Sequence, residues 1–146
     1  MKKNKGLEVK IQGDFVPKYQ SAQASGCDIY AAIDESIVIE AHGFGVIPTG
    51  IRMEIPEGYE AQVRPRSGLA KEYGIGVLNA PGTIDADYRG EIKVILFNFS
   101  SRPFTIRKRD RIAQLVFSKV EKVKFARRKR LRRTRRQSGG LGHTGL

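Results

Sequence analysis

The chain has 146 residues, with 27 Lys and Arg against 15 Asp and Glu, one cysteine and two histidines. That length suits a single domain whose core buries roughly 68 to 70% of the unfolded chain's surface without a covalent staple. The lone Cys27 excludes an internal disulfide, and His42 and His143 lie too far apart, with no ligand spacing around them, for a transition-metal site.

No apolar run is long enough to span a bilayer, and the basic start MKKNKG is not followed by the hydrophobic stretch of a signal peptide. A cytoplasmic protein with no membrane partner is expected. The formal charge of +12 is uneven: residues 121–146 hold ten of the basic residues and one acid, a net of +9, leaving +3 for the first 120. A balanced body precedes a basic tail.

Residues 7–12 (LEVKIQ) alternate apolar and polar, the period of a half-buried strand, and Gly13-Asp14 ends it. This N-terminal strand should pair into a sheet. After a polar segment, residues 27–32, 36–41, 44–49, 51–55 and 59–63 are short, β-rich and punctuated by Gly, Pro and Asp, the spacing of a sandwich or barrel. Residues 67–73 (SGLAKEY) form the one helical turn of the body, with Ser67 expected to cap it and Gly74 to end it.

Residues 78–91 (LNAPGTIDADYRGE) read as a hairpin bearing carboxylates, because Pro81-Gly82 sets a turn and Asp85, Ala86, Asp87 and Gly90 suit a central strand poorly. In an extended segment Asp85 and Asp87 would point the same way. Two accounts fit: a solvated hairpin end, or an aspartate beside Tyr88 that places a water against a substrate. Residues 91–99 and 111–120 are the most apolar runs and should cross the middle of the sheets, with residues 104–107 beside them.

The terminal segment divides into a dense basic connector, residues 122–136 (KVKFARRKRLRRTRR), and a glycine-rich end, residues 137–146 (QSGGLGHTGL). The connector repels itself. The end reads as a flexible tail or as backbone able to fold around phosphate oxygens, with Gly139, Gly140, Gly142 and Gly145, Ser138 and Thr144 close to Arg135 and Arg136.

Three further stretches exceed what a β scaffold needs. In residues 26–32 (GCDIYAA), Asp28 enters an apolar strand, where a carboxylate wants a cation or donors. Residues 64–70 (RPRSGLA) set two guanidinium groups before a helical turn whose open N–H groups favour an anion. Gln114 lies on a strand that otherwise looks buried, either as a hydrogen-bonded core amide or as a ligand.

In this order GCDIYAA, RPRSGLA, NAPGTIDADYRGE, RIAQLVF and RQSGGLGHTG resemble the five motifs of the trimeric dUTP diphosphatase (dUTPase) family, across essentially the whole chain. The resemblance implies an all-β jelly-roll sandwich or barrel over residues 1–121, with one short helix. The connector 122–136 would lead to an arm, residues 137–146, that is exchanged between subunits of a homotrimer and closes a neighbouring active site.

It further implies hydrolysis of dUTP to dUMP and diphosphate, keeping uracil out of DNA and supplying dUMP for thymidylate synthesis. Asp85 would orient and deprotonate the water that attacks the α-phosphorus. Asn79, Thr83 and Ile84 would hold the uracil edge, and Tyr88 would stack under the deoxyribose where a 2′-hydroxyl would collide. Arg66, Ser67, Gly68 and Gln114 would grip the phosphates, Arg136 would reach the γ-phosphate, and Leu141 with Gly142 would cover the base. Mg²⁺ would be held chiefly by phosphates and waters, one water network anchored by Asp28.

The chain departs from the family's last motif, Arg-Gly-x-Gly-Gly-aromatic-Gly, with Gln137 at the first glycine and Leu141 at the aromatic. Its connector is also unusually basic. Two other functions compete with the hydrolase: a dCTP deaminase of the same fold, and a module binding nucleic acid or another polyanion through residues 122–136.

Overall fold

The computed structural model describes residues 6–142, so the expectations for Met1 to Lys5 and for His143, Thr144 and Gly145 lie outside the described residues. The described residues form an all-β jelly roll with one short helix. Its central layer is a sheet of strands β2 (Cys27–Tyr30), β11 (Arg111–Lys119), β6 (Tyr59–Arg64) and β8 (Gly82–Ile84), in that order. A second sheet orders β4 (Phe44–Pro48), β9 (Lys93–Asn98) and β7 (Ile75–Val77). Two pairs complete it: β1 (Lys10–Gln12) with β5 (Arg52–Glu54), and β10 (Phe104–Ile106) with β3 (Ile37–Ile39).

Period-two alternation builds the core. Ala61 and Val63 of β6, Val94 and Leu96 of β9, and Leu115 of β11 are buried, and the residues between them turn outward. Asn98 is fully buried yet satisfied, donating to the Ile39 and Arg102 carbonyls at 3.1 and 2.7 Å and accepting from Ser100. Among the described residues no helix is long and apolar enough to cross a membrane.

β1 pairs as expected, and β9 and β11 have a neighbour on each side. Four readings need correction. Residues 104–106 do not flank β9 or β11; they pair with β3. The helix α1 (Ser67–Tyr73) ends on Gly74 at φ 67 as read, but its N-cap is Arg66, and no side chain caps it. Ser67 is already the first helical residue, one position too late for its hydroxyl to cap.

The stretch 78–91 is not one hairpin. β7 pairs with β9 and β8 with β6, so the chain crosses between sheets through a turn closed by Ala80 N–H to the Val77 carbonyl (3.1 Å), with a cis Ala80–Pro81 bond. Nor are Asp85 and Asp87 on one extended segment. Tyr88 N–H donates to the Asp85 carbonyl at 3.1 Å, so Asp85 opens a four-residue turn with Asp87 near its tip.

Candidate active site

Strand β8 aims the first group of residues. Its register on β6, Gly82 opposite Val63 and Ile84 opposite Ala61, sends Ile84 into the core and turns Thr83 and Asp85 outward. Four hydrogen bonds then fasten the turn. Arg89 Nη1 donates to the Ala86 carbonyl at 2.7 Å and reaches the Met53 carbonyl at 3.4 Å. Tyr88 Oη donates to the Glu91 carbonyl at 3.0 Å. Glu91 Oε1 accepts from Gly50 N–H at 3.0 Å.

Gly90 is required by this packing. A β-carbon there would lie 2.3 Å from Tyr88 Oη and 2.5 Å from its Cζ, so the tyrosine ring rests where a side chain would stand. Gly82 plays a similar part, since its β-carbon would come within 3.2 Å of the Asn79 amide nitrogen. The result is a cavity of about 280 Å³ lined by Asn79, Thr83, Ile84, Asp85 and Tyr88, with Val63, Ile92 and Ile95 supplying apolar wall. Its size lies near the lower limit of ligand pockets, roughly 300 Å³, enough for a base with its sugar but not for a triphosphate as well.

A second group gathers at the opposite edge of the central sheet. Asp28 on β2 is 7% exposed, with Oδ1 3.1 Å from Arg66 Nε and Oδ2 3.2 Å from Arg111 Nη1. Arg66 also donates to the Arg111 carbonyl at 3.1 Å. Gln114 lies opposite both Asp28 and Arg64, donates to the Pro65 carbonyl at 3.0 Å, and packs so tightly on Gly26 that a β-carbon there would strike it.

The strand register explains how Arg111 enters this group. A bulge between Arg111 and Ala113 leaves Ile112 and Ala113 both buried, so Arg111 and Gln114 share a face despite their odd spacing. Ser67 and Gly68 stand exposed in the first turn of α1, whose leading N–H groups have no intrahelical partner. The guanidinium of Arg66, drawn to Asp28, does not cover them.

These two groups do not meet within one subunit. Asp85 is level with Glu60, one residue past the Ala61 and Ile84 pair, while Asp28 is level with Arg64 across Gln114. Three strand spacings of about 4.8 Å and four residues of about 3.3 Å put them on the order of 19 Å apart. No residue lining the Asp85 cavity also lines the cavity of Arg66 and Arg111.

The third group stands apart from both. Among the described residues the last hydrogen bond from the arm's root to the body is Val120 N–H to the Gly58 carbonyl at 2.9 Å, and every residue from 121 to 138 is exposed. Arg136 Nε closes a turn onto the Gly139 carbonyl at 2.8 Å, with Gln137 at φ 48 and Leu141 at φ 45. Leu141 is fully exposed, so Arg136, Leu141 and Gly142 do not reach Asp85 of their own chain.

Among the described residues no cluster of three or more His, Cys, Asp or Glu side chains is placed to hold a metal ion. Asp28 uses one lone pair of each oxygen for arginine, and a carboxylate offers about four. Two remain for water, which fits an ion approached through water and held mainly by a ligand's own oxygens.

Sequence reasoning missed Arg89, Gly90, Glu91 and Arg111. The need of Asp28 for a cation was a signal for Arg111, but only the bulge on β11 brings that side chain to the carboxylate. Gly90 gave no local signal, because its contact depends on where the Tyr88 ring falls.

A family model described as dUTPase matches residues 15–145. A deoxyuridine 5'-triphosphate nucleotidohydrolase of Neorickettsia sennetsu is 52% identical over 130 residues, 89% of this chain and 87% of the relative. The same-named protein of Fusobacterium nucleatum is 46% identical over 145 residues, 99% of each chain. Among solved structures, a mutant dUTPase of Staphylococcus bacteriophage 80alpha with dUpNHpp superposes at a TM-score of 0.86 with 22% identity, covering 95% of this chain and 99% of that one. A mutant dUTPase from phage phi11 of S. aureus, described with a structural Mg(II) ion, gives a TM-score of 0.76 at 21% identity over 84% and 97%.

Proposed function

Since the chain belongs to the dUTPase family and is a dUTP diphosphatase by that membership, we propose that Asp85 directs a water at the α-phosphorus of dUTP, releasing diphosphate and leaving dUMP. One observation carries this reading: Asn79, Thr83, Ile84, Asp85 and Tyr88 converge on a single cavity sized for a nucleoside. Asn79 and the backbone of Thr83 and Ile84 hydrogen-bond the base. The Tyr88 ring, pinned by its bond to Glu91 and by Gly90 beneath it, walls the sugar so that a 2′-hydroxyl collides.

A carboxylate is a modest base, so the rate depends mainly on setting the water in line and neutralising the triphosphate. That neutralisation falls to Arg66, Ser67, Gly68 and Gln114, with Asp28 and Arg111 holding Arg66 in place. Bound Mg²⁺ would supply charge compensation on the phosphates and would meet the protein only through waters on Asp28. The separation of about 19 Å between Asp28 and Asp85 supports a site shared between copies, since one substrate cannot reach both groups on a single subunit. A homotrimer then joins the Asp85 cavity of one chain to the Arg66 face of a second. The arm of a third closes it, with Arg136 on the γ-phosphate and Leu141 and Gly142 over the base.

Diphosphate release from dUTP, UTP and dTTP, with and without magnesium, tests the reading. Activity confined to dUTP and lost in Asp85→Asn with retained dUTP binding is expected. An Asp85→Asn protein that turns over normally, or equal rates with UTP, would sink it. The deaminase alternative has no support in the relatives' names, and ammonia release from dCTP is expected to be absent.

A further inference from the structure

The hydrolytic site uses only the far end of the basic run. Nine of the thirteen residues from 124 to 136 are Lys or Arg, seven of them Arg, and no carboxylate interrupts them. Among the described residues none of the nine is in an ion pair. Among the described residues their side-chain hydrogen bonds stay within the tail, Arg128 to the Arg127 carbonyl at 3.2 Å and Arg136 to that of Gly139 at 2.8 Å. Phe125 and Leu131 stand among them 92% and 87% exposed.

A tether to a neighbouring site needs length and no charge. Fifteen extended residues already reach roughly 50 Å, and uncharged ones reach as far. The body offers no general acidic surface to neutralise the run, since the first 120 residues carry a net +3. At the root of the tail, just before this run, Lys122 lines a cavity with the carboxylates of Glu57, Glu60, Asp85 and Asp87. So much like charge on one exposed strand is stabilised by a partner with a row of anions.

The chemistry of the run selects among such partners. A membrane surface favours an amphipathic helix with a broad apolar face, but the segment is not helical and its few apolar side chains form no face. Arginine outnumbers lysine, and its planar fork suits phosphate oxygens better than a point charge does. In an extended chain every second side chain shares a face, a repeat of about 6.6 Å, close to two axial phosphate steps of about 3.4 Å along one duplex strand. Phe125 adds a face on which an unpaired base can stack. We propose that residues 124–136 bind the phosphate backbone of nucleic acid without sequence preference.

The test is fluorescence anisotropy of the full chain with a labelled DNA duplex across a salt series. If about six cations engage, affinity falls roughly a thousandfold between 50 and 200 mM salt. The variant R127Q/R128Q/R130Q/R132Q/R133Q, which leaves Arg136 and the glycine-rich end untouched, should lose this binding while keeping dUTP hydrolysis and its unfolding midpoint. Binding indifferent to salt, or equal in the variant, overturns the proposal. So does adsorption to phosphatidylserine vesicles with none to DNA, which would assign the run to membranes.

Discussion

Replacing Asp28 with asparagine tests the anchor beneath the phosphate-facing arginine. The carboxylate is nearly buried and gives one oxygen to Arg66 at 3.1 Å and the other to Arg111 at 3.2 Å. A charge-assisted bond of this kind is worth about 1.5 to 3 kcal/mol. Asparagine keeps one as a neutral bond and turns an N–H₂ donor toward the other guanidinium, so one bond is lost outright and one weakened. Arg111 is 46% exposed and partly screened, which brings the expected cost to about 2 to 3 kcal/mol. With a urea m-value of roughly 1 to 3 kcal/mol/M, the midpoint should fall by about 1 to 2 M at fixed protein concentration. Released from Asp28, Arg66 would also grip the substrate less well, and a loss of about 1.4 kcal/mol there raises KM roughly tenfold. The exposed pair of Asp34 and Lys108 is the control, and Asp34→Asn should leave the midpoint where it was. A loss below about 0.5 kcal/mol together with an unchanged KM in Asp28→Asn would refute the claim that this carboxylate positions Arg66.

In Gly90→Ala the new methyl displaces the Tyr88 ring and its bond to Glu91, so the ratio of kcat/KM for dUTP over UTP should fall while the fold survives; an unchanged ratio would separate Tyr88 from sugar selection. Gln137→Gly relieves a left-handed residue at φ 48, worth about 1 kcal/mol, and should lower KM for dUTP about fivefold if the turn it sits in is the one that closes. Leu141→Phe adds stacking of about 0.5 to 1.5 kcal/mol over the base, seen as a two- to tenfold lower KM with kcat little changed. Burial pushes the Cys27 thiol above its ordinary range, so iodoacetamide at pH 8 should label it only after urea unfolding; rapid labelling of the folded protein would mean that β2 opens locally.

Much of the fold was legible because strand formation leaves a local trace. Short β-rich or apolar runs bounded by Gly, Pro and Asp, with alternation in residues 7–12, marked most strands of the body to within two or three residues, and Gly74 stopped the helix where a left-handed residue was needed. β7 and β8, three residues each, were too short for a period to emerge: β7 gave no signal between the helix and the apparent hairpin, and β8 was absorbed into that hairpin. The candidate site was visible as residue types, an aspartate and a tyrosine on a Gly- and Pro-rich turn. Its supports, Arg89 and Gly90, were not, since they act through contacts that depend on how the turn folds back.

By itself the sequence determined which segments extend, that Asp28 needs cations, that the charge collects in a tail, and that the motifs stand in the order of one family. Tertiary structure alone decided that β7 and β8 join different sheets, that a bulge at Ile112 brings Arg111 onto the face of Asp28 and Gln114, and that Asp85 and Arg66 occupy separate cavities. The reason lies in the hydrogen-bond ladders. A period of two says only that neighbouring side chains face opposite ways, whereas pairing with distant strands sets which face is which, and one inserted residue reverses it.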